Sequence, residues 1–266
     1  MNSAGIIGCG KYLPETIVTN EDIKNRGLDT SDEWIFSRTG IKERRILEKD
    51  KPNSYMAVKA SQQAIDNASL ENSDIDFIIA ATTSSDYLGF PSLASVIQHK
   101  LGINEIGCVD VAAACTGFNY ALTMASQFVK TGMYKNILVV ASDCLSRYVN
   151  WEDRSICVLF GDGAGAAVVS KVDPEFAIVA SQLSAAGKYG DILCIKGGGS
   201  SLPIDDIILE NKDQFIHMEG KSVFKVAISK ILPTIKNLCD QANMNLEEID
   251  QFIFHQANLR LIDAAC

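Results

Sequence analysis

The run Asp110-Val-Ala-Ala-Ala-Cys-Thr-Gly-Phe-Asn-Tyr-Ala-Leu places Cys115 where small apolar residues of strand character give way to a helical pattern opening at Thr116-Gly117. A cysteine at such a turn faces the positive end of the helix, where unpaired backbone N–H groups favour thiolate over thiol. The same N–H groups would hold the oxyanion of a thioester under attack. A buried cysteine serving as a small core hydrophobe fits the segment equally well, so both readings stand.

A second candidate is His255, which ends the apolar run in Phe252-Ile-Phe-His-Gln-Ala-Asn-Leu-Arg260. Ligand sites in α/β sheets gather at the carboxyl ends of strands. A lone histidine there also fits a hydrogen-bonded boundary role. His99 and His217 read as surface residues. In Thr30-Ser-Asp-Glu-Trp-Ile-Phe-Ser-Arg-Thr39 a capping residue and an acidic first turn start a helix on which Trp34 and Arg38 share a face. An indole there would stack on an adenine and a guanidinium would hold a phosphate, although a tryptophan packed on the core beside an arginine stem has the same spacing. Phe160-Gly-Asp-Gly-Ala-Gly-Ala-Ala-Val168 matches neither phosphate-loop fingerprint, because its glycines precede a strand and no Lys-Ser/Thr follows. It reads as a tight turn beneath an active site, and Gly197-Gly-Gly-Ser-Ser201 as a flexible loop.

Elements of α/β type must carry these residues. Strand-like runs fall at Gly5–Gly8, Phe77–Ala80, Gly107–Val111, Ile137–Val140, Gly165–Val169, Phe176–Val179 and Phe252–Phe254. Helical patterns fit between them at Ser54–Asn67, Pro91–Leu101, Gly117–Thr131 and Ser222–Ala242, the last with Pro233 as a potential kink. Ser73-Asp-Ile-Asp-Phe-Ile-Ile-Ala-Ala-Thr82 is echoed by Glu247-Glu-Ile-Asp-Gln-Phe-Ile-Phe-His-Gln256 at an offset of 174, and Ile6-Ile-Gly8 by Ile178-Val-Ala180 at 172. Matches at nearly one offset point to a duplicated α/β half beginning near residue 175.

The eight cysteines lack CxxC pairs and Cys/His ligand spacing, so neither a metal site nor a disulfide framework is expected, and most should be reduced core thiols. A net charge of −9 without a Lys/Arg-rich block argues against nucleic acid, and no apolar run reaches membrane-spanning length. The expectation is a cytoplasmic protein in which any acidic partner meets a local basic patch.

Thr30 to Thr39, Asp110 to Cys115, Phe160 to Ala166 and His255 to Arg260, four separated motifs in order, together resemble β-ketoacyl-acyl-carrier-protein synthase III, the initiating condensing enzyme of type II fatty-acid synthesis. The likeness runs from Gly5 to the last residue. It implies a thiolase-like fold of duplicated α/β halves in five layers (αβαβα), with a first half at 1–174 and an incomplete second half at 175–266. On these positions it implies that Cys115 takes a short acyl group, typically acetyl, from coenzyme A, and that His255 donates a hydrogen bond to the enolate formed when malonyl-acyl carrier protein loses carbon dioxide. Thr30, Trp34, Arg38 and Arg154 match the family's coenzyme A contacts, and Gly220 and Phe224 its pantetheine tunnel. Lys225 with Gln256, Ala257, Asn258, Leu259 and Arg260 match the carrier-protein surface, and Phe90 the residue inserted across a homodimer interface to shape the acyl pocket. No permanently bound cofactor is implied. Lys221 departs from the small polar residue expected beside the pantetheine. The family's catalytic asparagine, in a Gly-Asn-Thr-Ser loop, and its glycine-rich oxyanion loop would fall after Cys266. The alternatives are a non-catalytic remnant or partner that keeps acyl-CoA or carrier-protein binding, and a related thiolase-fold synthase with another acceptor.

Overall fold

The computed structural model describes residues 2–265. In chain order its strands and helices are β1 (Ala4–Tyr12), β2 (Thr16–Thr19), α1 (Asn20–Lys24), α2 (Asp32–Thr39), β3 (Glu43–Ile46), α3 (Asn53–Asn67), β4 (Phe77–Ala81), α4 (Leu93–Lys100) and β5 (Gly107–Val111). There follow α5 (Gly117–Thr131), β6 (Ile137–Cys144), α6 (Arg154–Cys157), β7 (Asp162–Lys171), β8 (Leu193–Ile195), α7 (Asp206–Asn211), β9 (Ile216–Met218), α8 (Gly220–Ala242) and α9 (Leu259–Asp263). No described helix is long and apolar enough to cross a membrane.

The chain divides into two compact units. The first, built on β1 with Arg45–Leu145 and Asp162–Leu183, holds a five-stranded sheet in the order β1-β7-β6-β4-β5. Strands β5, β4 and β6 are mutually parallel, with Ala81 opposite both Val111 and Ala141, while β7 runs antiparallel to β6 and β1. Parallel strands buried on both faces require continuous apolar runs, and Ile78, Ile79, Leu138, Val139 and Val140 are all fully buried. Helix α3 covers one face through Met56, Ala57, Ala60, Ala64 and Ile65, and α5 the other through Ala121, Ala125 and Val129. Gly10 of β1 is a glycine for a packing reason, since a Cβ there would lie 2.1 Å from the carbonyl oxygen of Ala60.

The second unit, comprising Ile17–Arg44, Ser146–Gly161 and the described residues from Ser184 onward, has a smaller core. Ile23, Ile35, Val149, Ile156, Cys157 and Val158 form it, with Trp34, Trp151, Ile216 and Met218 packed against them. The 23-residue α8 buries none of its side chains fully.

The echo at an offset of 174 is written into the backbone. Ser69 after α3 has φ 56°, and Asn243 after α8 has φ 53°. Glu71 and Asn245 then adopt nearly the same extended angles, −90°/158° and −85°/158°, and each begins a one-turn 3-10 helix with a reciprocal capping box. The backbone N–H of Glu71 donates to Asp74 and that of Asn245 to Glu248. The two segments diverge beyond this point.

Several expectations are corrected. Phe176–Val179 and Phe252–Phe254 are not strands. The former makes one ladder-like bond, from Ile178 N–H to Ala4 O, and the latter has no strand beside it among the described residues. A strand exists only through hydrogen bonds to neighbours, so an apolar run without them stays irregular. The parallel rings of Phe252 and Phe254, 5.8 Å apart, show that this run nevertheless stays extended, with alternate side chains on one side. Gly163 and Gly165 are not in a tight turn but in β7, paired to Asp143 and Ala141. Gly197–Ser201 is a tied turn in which Gly197 N–H donates to Asp213 O and a Cβ on Gly197 would strike Ile208. Of the seven cysteines among the described residues, all unbridged, only Cys144 and Cys157 are fully buried, and Cys266 lies outside the described residues.

Candidate active site

In the first unit, β5 delivers the chain to a one-turn helix, Ala114–Thr116, that leads straight into α5. Ala114 takes a left-handed φ of 44°, a conformation costly for a residue with a Cβ and one that marks strained functional turns. Thr116 ties the turn by donating its N–H and its hydroxyl to Ala113 O at 3.1 and 2.9 Å. Gly117 permits the close approach that follows, because a Cβ there would lie 2.9 Å from that of Ala81. Cys115 is thereby held solvent-exposed at the carboxyl ends of three parallel strands, immediately before α5. An exposed position at such a turn suits a nucleophile.

The surroundings of the thiol work against the thiolate that the helix N-terminus favours. The protein atoms crowding the thiol push its pKa up, the Asp143 carboxylate pushes in the same direction, and one backbone hydrogen bond works against them. Asp143 itself was not evident from the sequence. It sits in β6, where its Oδ1 accepts from Thr82 Oγ1, Thr83 N, Thr83 Oγ1 and Ser84 Oγ at 3.2, 2.7, 2.9 and 2.9 Å. Phe90, farther along the same loop, is 86% exposed.

The second unit holds the other candidates in three groups. The Arg38 and Arg154 guanidiniums both lie over the Trp34 ring, 4.5 and 4.9 Å from its centroid. Arg154 also donates to the backbone and carboxylate of Asp29, and Thr30 Oγ1 is buried without a partner. Ser31, not Thr30, caps α2 by accepting from Trp34 N–H at 3.1 Å. These side chains present an indole, two cations and an unsatisfied hydroxyl, the donor set that suits a purine and its phosphates. Gly220, Lys221, Phe224 and Lys225 occupy the first turns of α8, with both lysines exposed.

His255 is exposed on the irregular stretch 251–256, not at a strand end as expected. Desolvation by nearby protein atoms nevertheless lowers its pKa from the usual 6.5, which favours neutral imidazole at pH 7. Beyond it, Asn258 caps α9 by accepting from Leu261 N–H. Arg260 donates to Ser37 O, and Leu259 packs where a Cβ on Gly40 would come within 2.6 Å. The segment from Gln256 to Arg260 therefore lies against the end of the helix bearing Trp34 and Arg38.

A family model described as 3-oxoacyl-[acyl-carrier-protein (ACP)] synthase III matches residues 109–198, which include Cys115, and one described as stage V sporulation protein AD matches 41–152. A β-ketoacyl-[acyl-carrier-protein] synthase III from Caldanaerobacter subterraneus is 45% identical over 99% of this chain and 79% of its own length. One from Chlamydia muridarum is 46% identical over 98% and 80%. Among solved structures, 3-oxoacyl-[acyl-carrier-protein] synthase III from Aquifex aeolicus superposes with a TM-score of 0.88 at 40% identity, covering 98% of this chain and 79% of that one. Identity at this level over nearly every residue, joined to the same thiolase-like fold, shows that the chain belongs to the β-ketoacyl-[acyl-carrier-protein] synthase III family.

Proposed function

We propose that Cys115 is the acyl-accepting nucleophile of a decarboxylative Claisen condensation between a short acyl-CoA, acetyl-CoA first among them, and malonyl-acyl carrier protein. The observation that carries this reading is the exposed thiol on a strained turn at the ends of three parallel strands, just before a helix. Cys115 Sγ attacks the acyl carbonyl, its proton leaves with the coenzyme A thiol, and a protein thioester remains. Malonyl-acyl carrier protein then loses carbon dioxide, and the resulting enolate carbon attacks that thioester. A carbon–carbon bond forms, Cys115 departs as thiolate and regains a proton, and 3-oxoacyl-acyl carrier protein is released.

His255 donates an N–H to the enolate oxygen, which a neutral imidazole does through its one protonated nitrogen. Trp34, Arg38, Arg154 and Thr30 receive the adenine and phosphates, and Gly220 and Phe224 line the path of the pantetheine. Lys225 and the segment Gln256 to Arg260 form the basic dock for an acidic carrier protein, which a chain of net charge −9 requires locally. The exposed Phe90 ring belongs to a homodimer interface and to the acyl pocket. Residues 1–174 and 175–266 correspond to the two halves of the duplicated fold, and the protein works in the cytoplasm.

Intact-protein mass spectrometry after incubation with a panel of acyl-CoAs tests the assignment. A single acyl adduct is expected, lost in Cys115→Ala. His255→Ala should still acylate while condensation falls by about 10²- to 10³-fold. An adduct that survives Cys115→Ala overturns the nucleophile.

A further inference from the structure

Val111 and Ala81, the last residues of β5 and β4, share one register level with Ala141 of β6, which runs on to Cys144. Cys115 follows the first, the Thr82–Ser84 turn follows the second, and Asp143 lies two residues past that level in the third. All four hydrogen bonds from the turn converge on one oxygen of Asp143. Ser84 Oγ in turn accepts the Cys144 N–H at 2.8 Å, so the turn and β6 are laced in both directions. Buried Asn53 extends the lacing: its Nδ2 donates to Thr82 Oγ1, Ser84 O and Ser142 O, and its Oδ1 accepts from Ser142 Oγ. A side-chain network this complete fixes one arrangement of the Thr82–Ser84 turn.

We propose that Asp143 is a positioning residue for Cys115, fastening the turn after β4 to β6 through one carboxylate oxygen beside the strand end from which Cys115 follows. Two other carboxylates belong to the surrounding elements, and each is turned to a structural task. Asp110 of β5 accepts the Leu93 and Ala94 N–H groups at the start of α4, and Asp86 accepts the Ser54 N–H at the start of α3. The pKa of Cys115 is pushed up first by the protein atoms that desolvate the thiol and then by the Asp143 carboxylate. Cys115 therefore rests as a thiol, protected from adventitious oxidation and alkylation, and gives up its proton as the acyl group arrives.

The proposal rests on Cys115 being the nucleophile, but its test does not need acyl transfer. The rate of Cys115 alkylation by iodoacetamide is measured against pH by mass spectrometry, with Cys115→Ala as background. Asp143→Asn keeps an acceptor for the turn and removes the charge. Its alkylation profile should move to lower pH, with several-fold faster labelling at pH 7, whereas Asp143→Glu should restore the wild-type direction. A profile unchanged in a folded Asp143→Asn protein overturns the proposal. Should that variant fail to fold, Thr83→Ala and Ser84→Ala each take one hydroxyl from the carboxylate and leave its charge less neutralised, so labelling should slow. Equal rates in both and in wild type overturn it as well. Acyl adducts from acetyl-CoA, followed in parallel, separate a failure of this coupling from a failure of the nucleophile assignment.

Discussion

Between Ser69 and Ala81 the chain leaves a helix through a left-handed residue, caps a single 3-10 turn and runs into β4, where Ile78 and Ile79 are fully buried. Between Asn243 and His255 it repeats the left-handed residue, the cap and the turn, then continues unpaired, with Ile253 85% exposed. The shared part is held by bonds spanning three residues, Glu71 to Asp74 and Asn245 to Glu248. The part that differs depends on distant chain. Phe77–Ala81 has β5 and β6 on either side, and Asp76 takes the N–H groups of Lys135 and Asn136 where β6 begins. Local chemistry thus builds the same approach twice, and neighbours decide whether a strand follows.

The strongest challenge to this contrast is truncation of the paired isoleucines. Ile79→Ala should destabilise the protein by about 2–5 kcal/mol in urea unfolding, through lost burial and the cavity left behind. Ile253→Ala should stay within about 0.5 kcal/mol. Equal costs would break the comparison.

A smaller effect should sharpen the shared part. Ser69→Gly relieves a left-handed residue that has a Cβ and should stabilise by about 1 kcal/mol. Asn243→Gly should gain only a few tenths, because asparagine tolerates that conformation. Loss of stability in either variant would show that these turns are not the local devices described.

The smallest expected effect concerns His255, which the offset aligns with Ala81. Its imidazole should titrate by NMR with a midpoint below the ordinary value of about 6.5. Because the folded value is lowered, this contribution to stability is complete above the unfolded pKa and fades as pH falls through the folded one. A midpoint above the ordinary value would mean that a charge partner, not burial, governs the ring.

Legibility in the sequence follows the same division. Gly117–Thr131 is a helix over the expected span, since its start and its Gly132 stop are written in adjacent residues. The family's motifs were equally readable, because Trp34 and Arg38 are four apart on one helix and their meeting follows from helix geometry. Phe252–Phe254 has strand composition yet no ladder, and Gly163–Gly165 has turn composition yet lies between two strands. Asp143 carries no signal in Ser142-Asp-Cys144, since its four donors come from a turn about sixty residues earlier.

The sequence by itself determined the course of the long helices, the cap and turn shared at an offset of 174 and the strand-to-helix position of Cys115, because each depends on residues within a turn or two of one another. Only the tertiary structure decided which apolar runs became strands and which way the Cys115 thiol is biased. Ladder bonds, burial and the field of Asp143 all come from parts of the chain far away in sequence, and nothing in the local pattern encodes them.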